Sequence, residues 1–277
     1  MKQRLCLILN NLTTYKKEKY LEIFVSKIDS ELSIRKKELI KLKSIIDSIK
    51  TKAEKFSLLR YTYPSVYAHY EGFLKSTFFN FIDFLKEISV DFYDLNPNLI
   101  LLCMVPSLEN HLVKQSSKID AMKKVLKPVF EDNKNIFETM IRDKYIINQD
   151  TLESTLSLFD IDPNNINIGE LKNKSFPLDA LGYAYKRRNG IAHGELNPSN
   201  FDIFDISNSN TDISDNRIKI ATDFWLENYN NTLEALDLIK DIFYNYIEIE
   251  NYLHKNVKNM ILETVTSNNI EIEITKL

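Results

Sequence analysis

The chain has 277 residues, enough for one large domain or two small ones, and its 44% apolar content supplies a substantial core and excludes global disorder. Acidic residues number 39 against 36 basic ones, a net charge of −3. No global positive field therefore draws in nucleic acid, and any such contact rests on a local basic patch or on charges pooled in an oligomer. The two cysteines, Cys6 and Cys103, lie far apart and form no CxxC pair, which excludes a disulfide framework, argues against a zinc site and fits a reducing cytoplasm. Only five glycines and seven prolines punctuate the chain, a scarcity that favours long helices over a turn-rich sheet protein.

The N-terminus places Lys2 and Arg4 ahead of an apolar run at residues 5–9, ended by Asn10 and Asn11. That run is too short for a secretory signal and is followed by no small-residue cleavage site. No stretch reaches the roughly 18 apolar residues of a membrane span, so we expect a soluble cytoplasmic protein without membrane contact. Residues 17–60 carry Leu21, Phe24, Ile28, Leu32, Leu39, Leu42, Ile45, Ile46 and Ile49 mostly at intervals of three and four, with Lys and Glu between. The pattern predicts one long amphipathic helix or two broken ones. The following run is denser in aromatics. Tyr67, Tyr70, Phe73, Leu74, Phe78, Phe81 and Leu85 would line one face of a helix through the middle of the core, with Pro64 tolerated in a first turn beside Ser65.

Pro97 and Pro106 divide the next segment into shorter helices or turns, and residues 118–148 read as a more polar helical stretch. The Asn-rich segment at 159–179 reads as a connecting loop, with turn signals at Asp162, Pro163 and Gly169. Residues 197–216 read as an exposed polar loop. From residue 221 onward Trp225, Tyr229, Leu233, Leu236, Phe243, Ile247, Leu253, Val257 and Met260 predict a long helix, broken at most once, with one buried stripe. A terminal alternation, EIEITKL, carries little weight. There is no internal repeat. The sum is a single all-α domain over residues 1–277 with six to nine antiparallel helices.

One polar stretch, YKRRNGIAHGELNP, holds His193, one of four histidines, five residues after Arg188. On a helix Asn189 and His193 share a face, and Arg188 lies about 140° around the axis. Gly190 and Gly194 would weaken the helix locally and leave the imidazole facing solvent or a partner. These groups suit metal-free cleavage of RNA through the ribose 2′-hydroxyl. That reaction needs a base for the 2′ proton, an acid for the leaving 5′ oxygen and a cation for the phosphorane. Histidine serves as base or acid, and arginine grips phosphate with a two-pronged fork. One chain supplies one such histidine, so two protomers meeting here would supply both. Spacing alone favours the plainer reading, a surface histidine flanked by an Asn and a Gly at a helix end.

The string RNGIAH resembles the R-x(4–6)-H signature of the HEPN superfamily, with Asn189 in the polar place after the arginine. A second stretch, YAHYEGFLK, preceded by RKKEL at residues 35–39, resembles the YAHWEGF-K helix of a branch of bacterial HEPN-like nucleases associated with defence, with Tyr70 where tryptophan is usual. The resemblance covers about residues 30–265. It implies a four-helix core with additional helices, homodimerisation and a composite active site. It further implies metal-independent endoribonuclease activity without cofactor, within toxin–antitoxin or anti-phage systems and alongside an antitoxin or defence-system partner protein. Carried across, Arg188 stabilises the phosphate, His193 is the general base or acid, and Asn189 orients the phosphate or the histidine. Arg187 is a neighbouring candidate for RNA contact.

Tyr183 and Tyr185 are candidates to stack on a base, with packing as the commoner role. His69 and Glu71 sit two apart and so face different sides of their helix. Glu71 reaches the active-site pole or braces the helix pair. His111 and His254 are isolated. Two rival readings stand beside the enzyme: a catalytically silent HEPN module that binds RNA or scaffolds a defence complex, and an antitoxin-like surface that only recruits a partner.

Overall fold

The computed structural model describes residues 2–90, 94–100, 164–168, 170–193 and 213–253, with isolated positions such as Leu156, Phe159, Ile161 and Phe204. Within them lie four long helices, α1 (Lys2–Ser48), α2 (Lys52–Ile88), α3 (Leu178–Ala192) and α4 (Asp215–Glu248), and one hairpin of β1 (Ile166–Ile168) and β2 (Leu171–Lys174). The fold is all-α, with this hairpin its only sheet among the described residues. No helix among the described residues is long and apolar enough to cross a membrane.

Side-chain contacts fix the directions. Phe24 meets Phe84, with centroids 6.3 Å apart, and Arg35 reaches His69 O, so α1 and α2 are antiparallel. Tyr70 packs on Phe176 just ahead of α3, and Arg187 near its end bonds Tyr63, so α3 is antiparallel to α2. Arg217 lies over Phe56 while Phe243 packs on Phe81, so α4 runs parallel to α2. Lys36–Asp237 and Lys240–Asp29 ion pairs tie α4 antiparallel to α1. The four described helices therefore alternate up and down.

The predicted break within residues 17–60 falls at 49–51, where Thr51 adopts an extended conformation ahead of α2. On α1, Phe24, Ile28, Leu32, Leu39 and Ile46 are buried, whereas Ile45 remains 45% exposed. α2 is the central helix. All seven residues of its expected apolar face are buried. Phe81, Phe159, Phe243 and Tyr246 meet edge-to-face around its C-terminal half, each such pair adding about 0.5–1.5 kcal/mol beyond area burial.

Pro64 was expected in a first turn but lies inside α2. An interior proline costs about 3 kcal/mol. Leu59 and Tyr63 on one side and Val66, Tyr67 and Tyr70 on the other are all buried on one continuous stripe. Each contributes about 1.5–3 kcal/mol on burial, so packing outweighs the broken ladder.

The segment at 159–179 is not simply a connecting loop. Ile166 and Ile168 are buried on one face of β1, which pairs antiparallel with β2. The hairpin is pinned to α4 by Glu170 N–H donating to Asn245 Oδ1 at 2.9 Å. In the region read as an exposed loop, Phe204 is 1% exposed and packs against Phe56 and Tyr63. α4 begins where Ser214 Oγ accepts the Arg217 N–H, an N-cap, and it ends at Glu248. Most of residues 101–160, the tail beyond 257, and the expectations for Pro106, His111, residues 118–148, Met260 and the terminal alternation lie outside the described residues.

Candidate active site

α3 carries the candidate segment. It continues through Gly190, which is buried, to Ala192, and His193 caps its end with φ −82° and ψ 2°. The His193 N–H donates to Asn189 O at 2.9 Å, and the residue is exposed. The antiparallel pairing of α3 with α2 places that end beside the N-terminal half of α2.

Neighbouring side chains on a helix are about 100° apart, and the two arginines diverge accordingly. Arg187 turns inward and is 7% exposed. Its Nη1 donates to Tyr63 Oη at 3.1 Å, and its guanidinium lies 4.2 Å from the Phe224 ring centre. This is interior stacking, and it keeps Arg187 away from the surface where a substrate would arrive. Burial raises the pKa of the Tyr63 phenol, against the opposing pull of the Arg187 charge, so the phenol is the neutral partner in this bond.

Arg188 turns toward α2 and stays at the surface. Its Nη2 donates to Glu71 Oε2 at 2.9 Å and its Nη1 to Asn189 Oδ1 at 2.8 Å, with the guanidinium 5.8 Å from the Tyr67 ring centre. Glu71 also accepts from Lys75 Nζ at 2.5 Å. Asn189 therefore serves two ends of the segment: its side-chain oxygen holds the guanidinium, and its backbone carbonyl holds the turn at His193. Any phosphate contact it makes must come from Nδ2. Tyr185 is half-buried, 6.1 Å from Tyr67 ring to ring. The side chain of Tyr183 lies outside the described residues.

The structure thus brings Arg188, Asn189 and Glu71 into one hydrogen-bonded group, with His193 at the helix end beyond it and Arg187 on the opposite, interior side. Lys75 closes the YAHYEGFLK stretch but was assigned no role from the sequence, although a glutamate four residues before a lysine on a helix is a recognisable ion-pair spacing.

The YAHYEGFLK stretch divides its polar side chains between α1 and α3. His69 faces α1, its Nδ1 3.7 Å from Glu38 Oε2. Its pKa is lowered, first by burial and further by Arg35, against the raising influence of Glu38. Glu71 faces α3. Gly72 lets the Arg35 guanidinium lie on α2, where a Cβ would come within 2.9 Å of both its terminal nitrogens. From there Arg35 Nη1 donates to His69 O at 3.1 Å and Nη2 to Glu31 Oε1 at 2.6 Å, while Ser76 Oγ donates to Glu31 Oε2. Tyr70 is buried and packs against Tyr67 and Phe176, filling a core position.

The four described helices make an up-and-down, all-α bundle in which α3 ends on an arginine–asparagine–histidine segment. The family model described as RiboL-PSP-HEPN matches residues 30–224. The chain belongs to that family, a membership that ties it to nuclease-type, RNA-related chemistry. No curated protein and no solved structure matches it.

Proposed function

We propose that the protein is a metal-independent endoribonuclease that cleaves RNA by attack of a ribose 2′-hydroxyl on the adjacent phosphate. The observation that carries the reading is the paired state of one helix end, where Arg188 is bonded to Glu71 and Asn189 yet partly open at 27% exposure while His193 stands exposed at the cap. A guanidinium oriented before substrate arrives stabilises the phosphorane without reorganising. In the reaction one imidazole takes the 2′ proton as the 2′-oxygen–phosphorus bond forms. A second, protonated imidazole gives its proton to the departing 5′ oxygen, leaving a 2′,3′-cyclic phosphate. Each chain contributes one His193, so the site is a composite of two protomers related by a twofold axis. Asn189 fixes Arg188 and offers its amide nitrogen to the phosphate. Tyr185 lines the approach, and Arg187 takes no part because it is interior.

This chemistry fits a cytoplasmic toxin or anti-phage effector restrained by an antitoxin or another defence-system partner protein. The test is cleavage of RNA in EDTA with cyclic-phosphate ends, against a His193→Ala variant that is folded and inert. Cleavage that requires Mg²⁺ contradicts the mechanism. Binding without cleavage favours a silent RNA-binding module.

A further inference from the structure

α1 buries one apolar stripe in the bundle and carries a second one that faces outward. Ile23, Ile34 and Ile45 remain 40%, 54% and 45% exposed. They recur every eleven residues, about 20° more than three full turns, so they fall nearly on one line with about 16 Å between neighbours. Lys19, Lys27, Lys37 and Lys41, each three or four residues from one of these isoleucines, are exposed beside them. None of the four is ion-paired among the described residues. Elsewhere on the same helix Lys17, Lys36 and Lys43 pair with Glu250, Asp237 and Asp47. The nearest acids of α1 turn away: Asp29 meets Lys240 on α4, and Glu31 and Glu38 meet Arg35 and His69 at the seam with α2.

On its α2 side this stripe borders a groove. The Phe24–Phe84 and Ser76–Glu31 contacts bracket Phe79, itself 40% exposed, and set it at a level between Ile23 and Ile34. Beside Ile23 a cavity of about 300 Å³ opens between the helices, lined by Phe24 and Phe84 together with Lys27, Asp83 and Glu87. It is a socket for one bulky side chain. Apolar anchors in line, a row of lysines without acids and a socket at one end describe the seat of a helix that is apolar on one face and acidic along its flank. Other occupants fit worse. A second copy of the stripe, brought up by a twofold axis, would set lysine against lysine. RNA would answer the lysines but not the aliphatic anchors, because single strands bind on stacking rings. An anionic bilayer takes up a broad continuous apolar face, whereas lysines interrupt this line of isoleucines.

We propose that the α1–α2 groove along Ile23, Ile34 and Ile45 docks an acidic amphipathic helix of a partner protein. The groove lies on the α1 side of α2, where His69 faces Glu38, and Arg188 is bonded on the α3 side through Glu71. The docking is therefore independent of the ribonuclease reading.

The experiment selects ligands for the full-length protein from phage-displayed helical peptides of about 28 residues, long enough to cover Ile23 to Ile45. Leucines are fixed at three- and four-residue spacing and the remaining positions are randomised. Kd is then measured by fluorescence anisotropy for wild type, Ile34→Ser and the double variant Lys27→Glu/Lys41→Glu, each checked for an unchanged unfolding midpoint. Selected peptides should be enriched in Asp and Glu beside the leucines. Ile34→Ser should weaken their binding about 3- to 10-fold and the charge reversal about 10-fold or more. A peptide with its acids changed to lysine should bind the charge-reversed protein and not wild type. Selection without acidic enrichment, or binding unchanged in both variants, overturns the proposal. Phosphatidylserine vesicles, a single-stranded RNA oligonucleotide and sedimentation of the protein alone are run beside it. If Ile34→Ser abolishes vesicle binding, RNA binding or self-association, the surface belongs to that occupant and the proposal falls.

Discussion

Arg187 and Arg188 are neighbours in the chain and opposites in environment, and substitution should separate their roles. Arg187→Ala removes a buried stack on Phe224 and the bond to Tyr63, leaving a cavity and a phenol without that donor. We expect a loss of about 2–4 kcal/mol in denaturant unfolding. Arg188→Ala removes a partly exposed ion pair and should cost less than about 1 kcal/mol, yet abolish RNA cleavage. His69 supplies a separate test at this scale. Burial and Arg35 hold its folded-state pKa below the ordinary 6.5, so between that value and 6.5 the unfolded chain binds the proton more readily. The contribution to stability is fully present above pH 6.5 and is lost as pH falls through the depressed value. Urea melts from pH 7.5 to 5 should show a falling midpoint in wild type and a flatter profile in His69→Gln. Equal slopes would mean that another group carries the pH dependence.

Among the elements, the seam between α1 and α2 turns on Gly72. An alanine in a helix interior ordinarily stabilises by about 1 kcal/mol over glycine. Here the added methyl strikes an Arg35 guanidinium already tied to Glu31 and His69 O. Gly72→Ala should therefore yield no gain, or a loss of about 1 kcal/mol, and should recover the ordinary gain when combined with Arg35→Ala. A full gain in the wild-type background would show that Arg35 moves aside freely. The same elements indicate what the sequence could convey. The apolar stripes of α1, α2 and α4 were legible because three- and four-residue spacing maps directly onto a buried helix face, whereas Arg188, Asn189 and His193 stood out only through the resemblance of RNGIAH to a family signature, their spacing alone favouring a plain surface histidine. Pro64 misled because a local rule about proline was outvoted by aromatic packing on both sides of it. The β1–β2 hairpin was hidden in Asn-rich sequence. Its Ile166-Asn167-Ile168 alternation is only three residues long, and its stability comes from α4, through Asn245 and the buried isoleucines. The inward turn of Arg187 was not legible either, since it depends on Tyr63 and Phe224, which lie on two other helices. Glu71 was legible as a candidate, and its partner across the bundle was not.

At the scale of the whole molecule the proposed reaction needs two chains, because it calls for both a base and an acid and each chain holds one His193. Wild-type protein should therefore be dimeric at the concentrations at which it cuts RNA, a state that sedimentation or light scattering reads directly. The central claim is tested most directly by mixing wild-type and His193→Ala subunits, allowing exchange, and measuring RNA cleavage in EDTA at fixed total protein. If both imidazoles of a twofold-related pair are required, activity follows the square of the wild-type fraction, and an equal mixture retains about a quarter of the full rate. A linear dependence, with about half the rate retained, would mean that each chain cuts on its own and would contradict the composite site.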